Sequence, residues 1–122
     1  VRVRADEDAP PMDPDAEASL FRVAQEAVTN AIRHGRSHRV DIQLSAEPES
    51  GPPTTLRLEV HDDGGGVPAG HDPEALSSGG HFGLAGMGER AALLGGRLDV
   101  GASEPSGTAV VLTAPWPFPP DL

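Results

Sequence analysis

Leu20, Val23, Ala24, Ala27, Val28, Ala31 and Ile32 recur at spacings of three and four, the mark of an apolar stripe along a helix. An Asp13-Pro14 pair suits an N-cap and first helical turn, and Gly35 suits a C-terminal stop, so the pattern predicts a helix ending near His34. Ahead of it, Val1 to Arg4 alternates like a strand and leads into an acidic, proline-rich connector. Beyond it, Val40, Ile42 and Leu44 alternate with polar residues, and so do Leu56, Leu58 and Val60. These two segments, separated by the Pro/Gly/Ser connector 47–53, predict a hairpin with a long loop.

The second strand runs into Asp62-Asp63-Gly64-Gly65-Gly66, and residues 67–81 are polar, rich in Gly and Ser and free of periodicity, as in a mobile loop. Leu84, Met87, Ala91 and Leu94 then mark a second helix that stops at Gly95-Gly96. Leu98 and Val100, followed by Val110 and Leu112, predict two last strands around a turn at 105–107. The tail 115–122 holds four of the 13 prolines and is expected not to continue a sheet. The organisation is therefore one domain over 1–114 with a Pro-rich tail over 115–122. Hairpins dominate among interspersed helices, which predicts an α/β fold with a mixed, mostly antiparallel sheet and helices on one face. No internal repeat is present.

Charge narrows the partners. The 122 residues carry 19 acidic against 9 basic side chains, a formal net charge of −10, which disfavours non-specific binding to nucleic acid or anionic lipid. Any polyanion bound here needs local chemistry that overcomes the field. The absence of cysteine excludes disulfides and thiolate metal sites. No apolar run approaches the roughly 18 residues of a membrane span.

Three clusters at element ends carry candidate chemistry. At about 100° per residue, Glu26, Asn30 and Arg33 share one border of the first helix's apolar stripe. An amide oxygen one turn from a carboxylate is suited to a Mg²⁺ that keeps water and phosphate oxygens as its other ligands, while the carboxylate orients a nucleophile. Taken alone, the pair also fits a solvated helix face. Asp62 at a strand end is placed to accept a hydrogen bond from an exocyclic amine, and the following glycines let backbone approach a flat ligand; taken alone, they also fit a plain turn. Gly79-Gly80-His81-Phe82-Gly83-Leu84-Ala85-Gly86-Met87 leads glycines into a helix start, where backbone N–H groups favour phosphate. His61, His71 and His81 lack zinc-ligand spacing.

In order and spacing, these clusters give the chain a specific resemblance. Residues 25–34, QEAVTNAIRH, match the N box of bacterial sensor histidine kinases, whose superfamily includes gyrase, the HSP90 chaperones and mismatch-repair ATPases. Asp62-Asp63-Gly64-Gly65-Gly66 matches the G1 box, Phe82-Gly83-Leu84-Ala85-Gly86-Met87-Gly88-Glu89-Arg90 the G2 region, and Gly107 to Leu112 the closing strand. The Gln-Glu start and the Gly-Met-x-Glu-Arg helix resemble the nitrate-sensor subgroup. The resemblance implies a two-layer α/β sandwich of the Bergerat ATP-binding type, with ATP and Mg²⁺ between the first helix and a lid.

By the same resemblance Glu26 is the candidate general base and Asn30 the Mg²⁺ ligand. Arg33 would contact phosphate, His34 would lie against the nucleotide, and Asp62 would accept the adenine N6 amine. Gly64, Gly66 and Thr108 would line the base pocket, and Gly83, Leu84 and Gly86 would form the phosphate-side loop and helix start. Two positions depart from the family pattern: His81 stands where the first glycine of a Gly-x-Gly pair is usual, and Gly88 where a basic residue is common.

The implied reaction is transfer of the ATP γ-phosphoryl group to a histidine on a separate dimerisation domain, with a response regulator downstream. No stretch before residue 13 resembles that histidine-bearing bundle, so the chain is expected to bind ATP or ADP without phosphorylating itself. A cytoplasmic location follows from the same resemblance, with no nucleic-acid or membrane contact. The alternatives are a Ser protein kinase of the anti-sigma-factor type and a nucleotide-binding docking module without turnover.

Overall fold

The computed structural model describes residues 2–5, 12–33, 36–48, 50–65, 84–103 and 106–118. Helix α1 spans Pro14–Arg33. Its start is capped by Asp13, whose Oδ1 accepts the Ala16 N–H at 2.9 Å while its carbonyl accepts the Glu17 N–H at 3.1 Å. Ala16, Leu20, Val23, Ala27 and Ala31 form its buried stripe, with Ala24 and Val28 half-buried at its edge, so most of the apolar periodicity faces the core; Ile32, counted in that stripe from sequence, is instead 56% exposed in the last turn, where the helix runs past the sheet-facing residues. At the far end Ser37 donates its N–H to the Ala31 carbonyl at 2.9 Å, and Arg36 takes a left-handed φ of 52°. Gly35, the expected stop, lies outside the described residues.

Five strands form one sheet: β1 (Arg2–Ala5), β2 (Val40–Glu47), β3 (Thr55–Asp62), β4 (Arg97–Ala102) and β5 (Thr108–Pro115). Their order is β1-β2-β3-β5-β4, with β1 parallel to β2 and the other neighbours antiparallel. The register places Leu44 opposite Leu58, Leu58 opposite Leu112, and Leu112 opposite Leu98. One face of the sheet is therefore apolar across four strands. Residues between these, such as Asp41, Glu59, Arg57 and Asp99, occupy the other face and form surface ion pairs.

Helix α2 (Leu84–Leu93) closes the core with Met87 and Ala91, both fully enclosed, beside Val23 of α1. Its end is a Schellman turn: Gly96 N–H bonds the Ala91 carbonyl and Gly95 N–H the Ala92 carbonyl, each at 2.9 Å. Gly95 supplies the left-handed residue at φ 75° that this turn requires. Both helices pack against the sheet and against each other, giving the expected two-layer α/β sandwich. Among the described residues no helix is long and apolar enough to cross a membrane.

The tail differs from its expectation at one point. Pro115 still pairs with Thr55, and Trp116 donates its N–H to the Thr54 carbonyl at 2.9 Å, so the ladder runs past residue 114. A proline is tolerated at this end of the strand, where the missing N–H does not stop Trp116 from bonding Thr54. Phe118 packs on the core and meets Trp116 edge to face at 5.0 Å.

Candidate functional site

The end of β3 is fixed by two adjacent carboxylates with separate tasks. Asp62 is half-buried, and its Oδ1 accepts three hydrogen bonds: from the Ser37 hydroxyl at 3.0 Å, the Gly64 N–H at 2.9 Å and the Thr108 N–H at 3.3 Å. The donors come from the turn after α1, the turn after β3 and the start of β5, so one oxygen gathers three segments distant in sequence. None of these bonds uses Oδ2. An ionised carboxylate has about four acceptor positions, so lone pairs remain for a ligand.

Asp63 points its Oδ1 at the backbone instead, accepting the N–H groups of His38 at 2.8 Å and Arg39 at 2.9 Å. Its own N–H returns a bond to the Arg39 carbonyl at 3.2 Å. The Arg39 N–H first, and that of His38, hold the Asp63 carboxyl below its ordinary value, against a desolvation that pushes the other way. Asp63 thereby pins the 37–39 connection to the end of β3, and with it the Ser37 hydroxyl that orients Asp62.

The turn between β4 and β5 completes this corner. Ser103 donates its N–H to the Gly107 carbonyl at 3.1 Å, and Ser106 donates its hydroxyl to the Asp63 carbonyl at 3.2 Å. Gly107 sits at φ 100° with its Cα against the Asp62 backbone. Ser37 and Gly107 were not singled out as site residues from sequence. A hydroxyl one turn beyond a helix and a glycine before a strand are signals too common to read alone.

Along α1, Glu26 and Asn30 are half-buried beside the buried Ala27 and Ala31, on the border that the periodicity places them. Asn30 is engaged in an interaction within the protein. Arg33 is exposed in the last turn and neither bonds Asp62 nor lines the cavity beside Glu26. That cavity, of about 230 Å³, is lined by Arg22, Gln25, Glu26, Gly86, Met87 and Arg90. Glu26 of the first motif and Gly86 of the third thus meet in one space between α1 and α2. Arg22 carries no sequence signal of its own, and Arg90 enters the sequence reading only as the last residue of the third motif. Leu84 opens α2. His34, Gly66, Gly83 and the loop 67–81 lie outside the described residues.

Among the described residues, no group of three or more His, Asp or Glu is placed to hold a metal ion.

Comparison with known proteins gives the family and the fold. The family described as histidine kinase-, DNA gyrase B- and HSP90-like ATPase matches residues 15–117. The signal transduction histidine-protein kinase/phosphatase UhpB of Salmonella typhimurium is 35% identical over 97 residues, covering 80% of this chain and 17% of the relative. The oxygen sensor histidine kinase NreB of Staphylococcus carnosus is 32% identical over 103 residues, covering 84% of this chain and 27% of the relative. The chain thus spans about a sixth to a quarter of the length of these curated relatives. Among solved structures, the histidine kinase domain of a blue-light activated histidine kinase from Erythrobacter litoralis superposes with a TM-score of 0.67 at 28% identity, covering 93% of this chain and 51% of that one. The ATP binding domain of PrrB from Mycobacterium tuberculosis shares the fold, with a TM-score of 0.65 at 24% identity over 84% of this chain and 68% of that one.

Proposed function

Because the chain belongs to the histidine kinase-, DNA gyrase B- and HSP90-like ATPase family, we propose that it is the ATP-binding catalytic domain of a cytoplasmic sensor histidine kinase region. In this reading adenine sits at the end of β3 and the phosphates run back along the flank of α1. The observation that carries it is the Asp62 carboxylate, clamped through Oδ1 by three donors from three segments while Oδ2 keeps acceptor capacity. A fixed acceptor suits an exocyclic amine, and Gly64 and Thr108, both bonded to it, are placed to line the base.

Asn30 lies between this corner and Glu26 on α1, which rises about 1.5 Å per residue, so Asn30 and Glu26 are about 6 Å apart along the axis. Asn30 would offer a hard amide oxygen to a Mg²⁺, a cation that commonly draws its other ligands from phosphates and water. When bound, Mg²⁺ neutralises charge on the phosphates. Glu26 then stands at the end of the row farther from the base, where a carboxylate accepts a proton from, or orients, an attacking imidazole. Arg33, exposed in the last turn, is assigned to phosphate from the solvent side.

The acceptor histidine is assigned to a dimerisation domain of the full-length kinase, and a response regulator takes the phosphoryl group from it. Both relatives are named as histidine kinases, which favours this reading over the Ser-kinase alternative. The test is phosphotransfer from labelled ATP to the dimerisation domain supplied in trans. Wild type is expected to label it, and Glu26→Gln is expected not to, with ATP affinity altered by less than about tenfold, or 1.4 kcal/mol. Labelling by the variant at the wild-type rate would remove Glu26 from the chemistry.

A further inference from the structure

We propose that the cavity between α1 and α2 recognises the terminal phosphoryl group of a nucleoside triphosphate, with the guanidiniums of Arg22 and Arg90 as its cationic walls. The inference rests on the nucleotide reading above and extends it to Arg22, which lies outside the family motifs, and to Arg90, the last residue of the third motif, to which no individual role is assigned above.

Position is the first argument. Arg22, Glu26 and Asn30 follow one another at intervals of four on α1, so they stand on one flank about 6 Å apart along the axis. The Asp62 corner lies at the other end of this row, beyond the helix C-terminus, where Ser37 bonds Asp62. A triphosphate extending from that corner past Asn30 brings its last phosphoryl group, not its first, to the space beside Glu26. Arg22 on α1 and Arg90 on α2 line that same space.

Unspent hydrogen-bonding capacity is the second argument. The ion pairs among the described residues join Arg39 to Asp41, Arg57 and His61 to Glu59, and Arg97 to Asp99, all at the sheet. Arg22, Glu26 and Arg90 share a cavity yet form no ion pair with one another. Each guanidinium presents a planar fork of donors that matches phosphate oxygens two at a time. Two such groups against one carboxylate leave the cavity with a surplus positive charge, in a chain whose formal net charge is −10. An acidic domain that retains a polyanion needs a local reversal of this kind.

Space is the third. Gly86 forms part of the cavity wall, and a Cβ built there meets no atom within 4 Å, so the glycine leaves the volume open. Met87, fully enclosed, supplies an apolar floor, with Arg90 half-buried beside it and Arg22 exposed at the rim.

The proposal separates two ligands that differ only by the terminal phosphoryl group. Titration calorimetry of this chain with ATP and with ADP, both with Mg²⁺, is carried out on wild type, Arg22→Gln and Arg90→Gln. Each variant is expected to lose about tenfold in ATP affinity while ADP affinity changes less than twofold, and the retained ADP binding reports that the fold is intact. An unchanged ATP-to-ADP ratio in both variants, with ADP still bound, overturns the proposal and leaves the nucleotide reading standing. The same unchanged ratio together with slowed phosphotransfer in trans also overturns it, and assigns the arginines to an acidic group on the acceptor domain. Failure of wild type to bind ADP at all overturns this proposal and the nucleotide reading together.

Discussion

Gly107 lies against the backbone of Asp62 so closely that a Cβ at residue 107 would run into the Asp62 carbonyl and stand 2.9 Å from Asp62 Oδ1. The glycine therefore sets how near the start of β5 comes to the acceptor carboxylate, and so allows Thr108 N–H to reach it. Gly107→Ala combines a left-handed backbone with a clash against main chain, and is expected to cost roughly 2 to 4 kcal/mol of stability. Urea unfolding measures this. A loss of only a few tenths of a kcal/mol would mean that the corner is looser than described.

Asn30 is assigned the metal in the proposed reading, and no group of three or more His, Asp or Glu placed to hold a metal ion is found among the described residues. Nucleotide binding should then gain from Mg²⁺, and Asn30→Ala should remove most of that gain while leaving metal-free binding nearly intact. Calorimetry with ATP, with Mg²⁺ and with EDTA, reads both quantities. Equal Mg²⁺ enhancement in variant and wild type would remove Asn30 from the metal site.

Asp63 predicts a pH dependence with a definite sign. Its carboxyl is held below the usual value chiefly by the Arg39 N–H, so the charged form is favoured in the folded state. The stability it contributes is present above the unfolded-state value of about 3.9 and is lost as pH falls through the lower folded value. Asp63→Asn should therefore be less stable than wild type at pH 7, and the difference should narrow as pH drops below about 4. Urea midpoints at a series of pH values test this; a gap that stays constant to pH 3 would place the bonding strength outside the charge.

Local rules in the sequence carried most of the elements. The stripe of α1 is buried from Leu20 to Ala31 because its period is helical, while Ile32 at its end is exposed, since spacing alone does not say where the helix leaves the core. The Gly95-Gly96 stop became a Schellman turn because its glycine permits φ 75°. Strand order was not legible: β5 inserts between β3 and β4, a long-range choice that alternation along a single strand does not encode. The tail was misjudged at Pro115, because the count of prolines says nothing about whether the first of them ends a ladder. At the site, the Asp62-Asp63 pair stood out as chemistry, but the division of labour between them depends on Ser37 and on Arg39, whose positions only the folded turn after α1 reveals. Arg22 and Arg90 lie on different helices 68 positions apart, and their meeting in one cavity is a consequence of helix packing.

The measurement that bears most directly on the account is the affinity of this chain for ATP against GTP, with Mg²⁺, in wild type and Asp62→Asn. Asp62 as acceptor for an exocyclic amine faces a carbonyl in guanine, and two buried acceptors face to face cost about 1 to 3 kcal/mol. Wild type is expected to prefer ATP by roughly 5- to 150-fold, and Asp62→Asn to lose that preference. Equal binding of ATP and GTP by wild type, or no binding of either, would contradict the assignment of this corner as an adenine site.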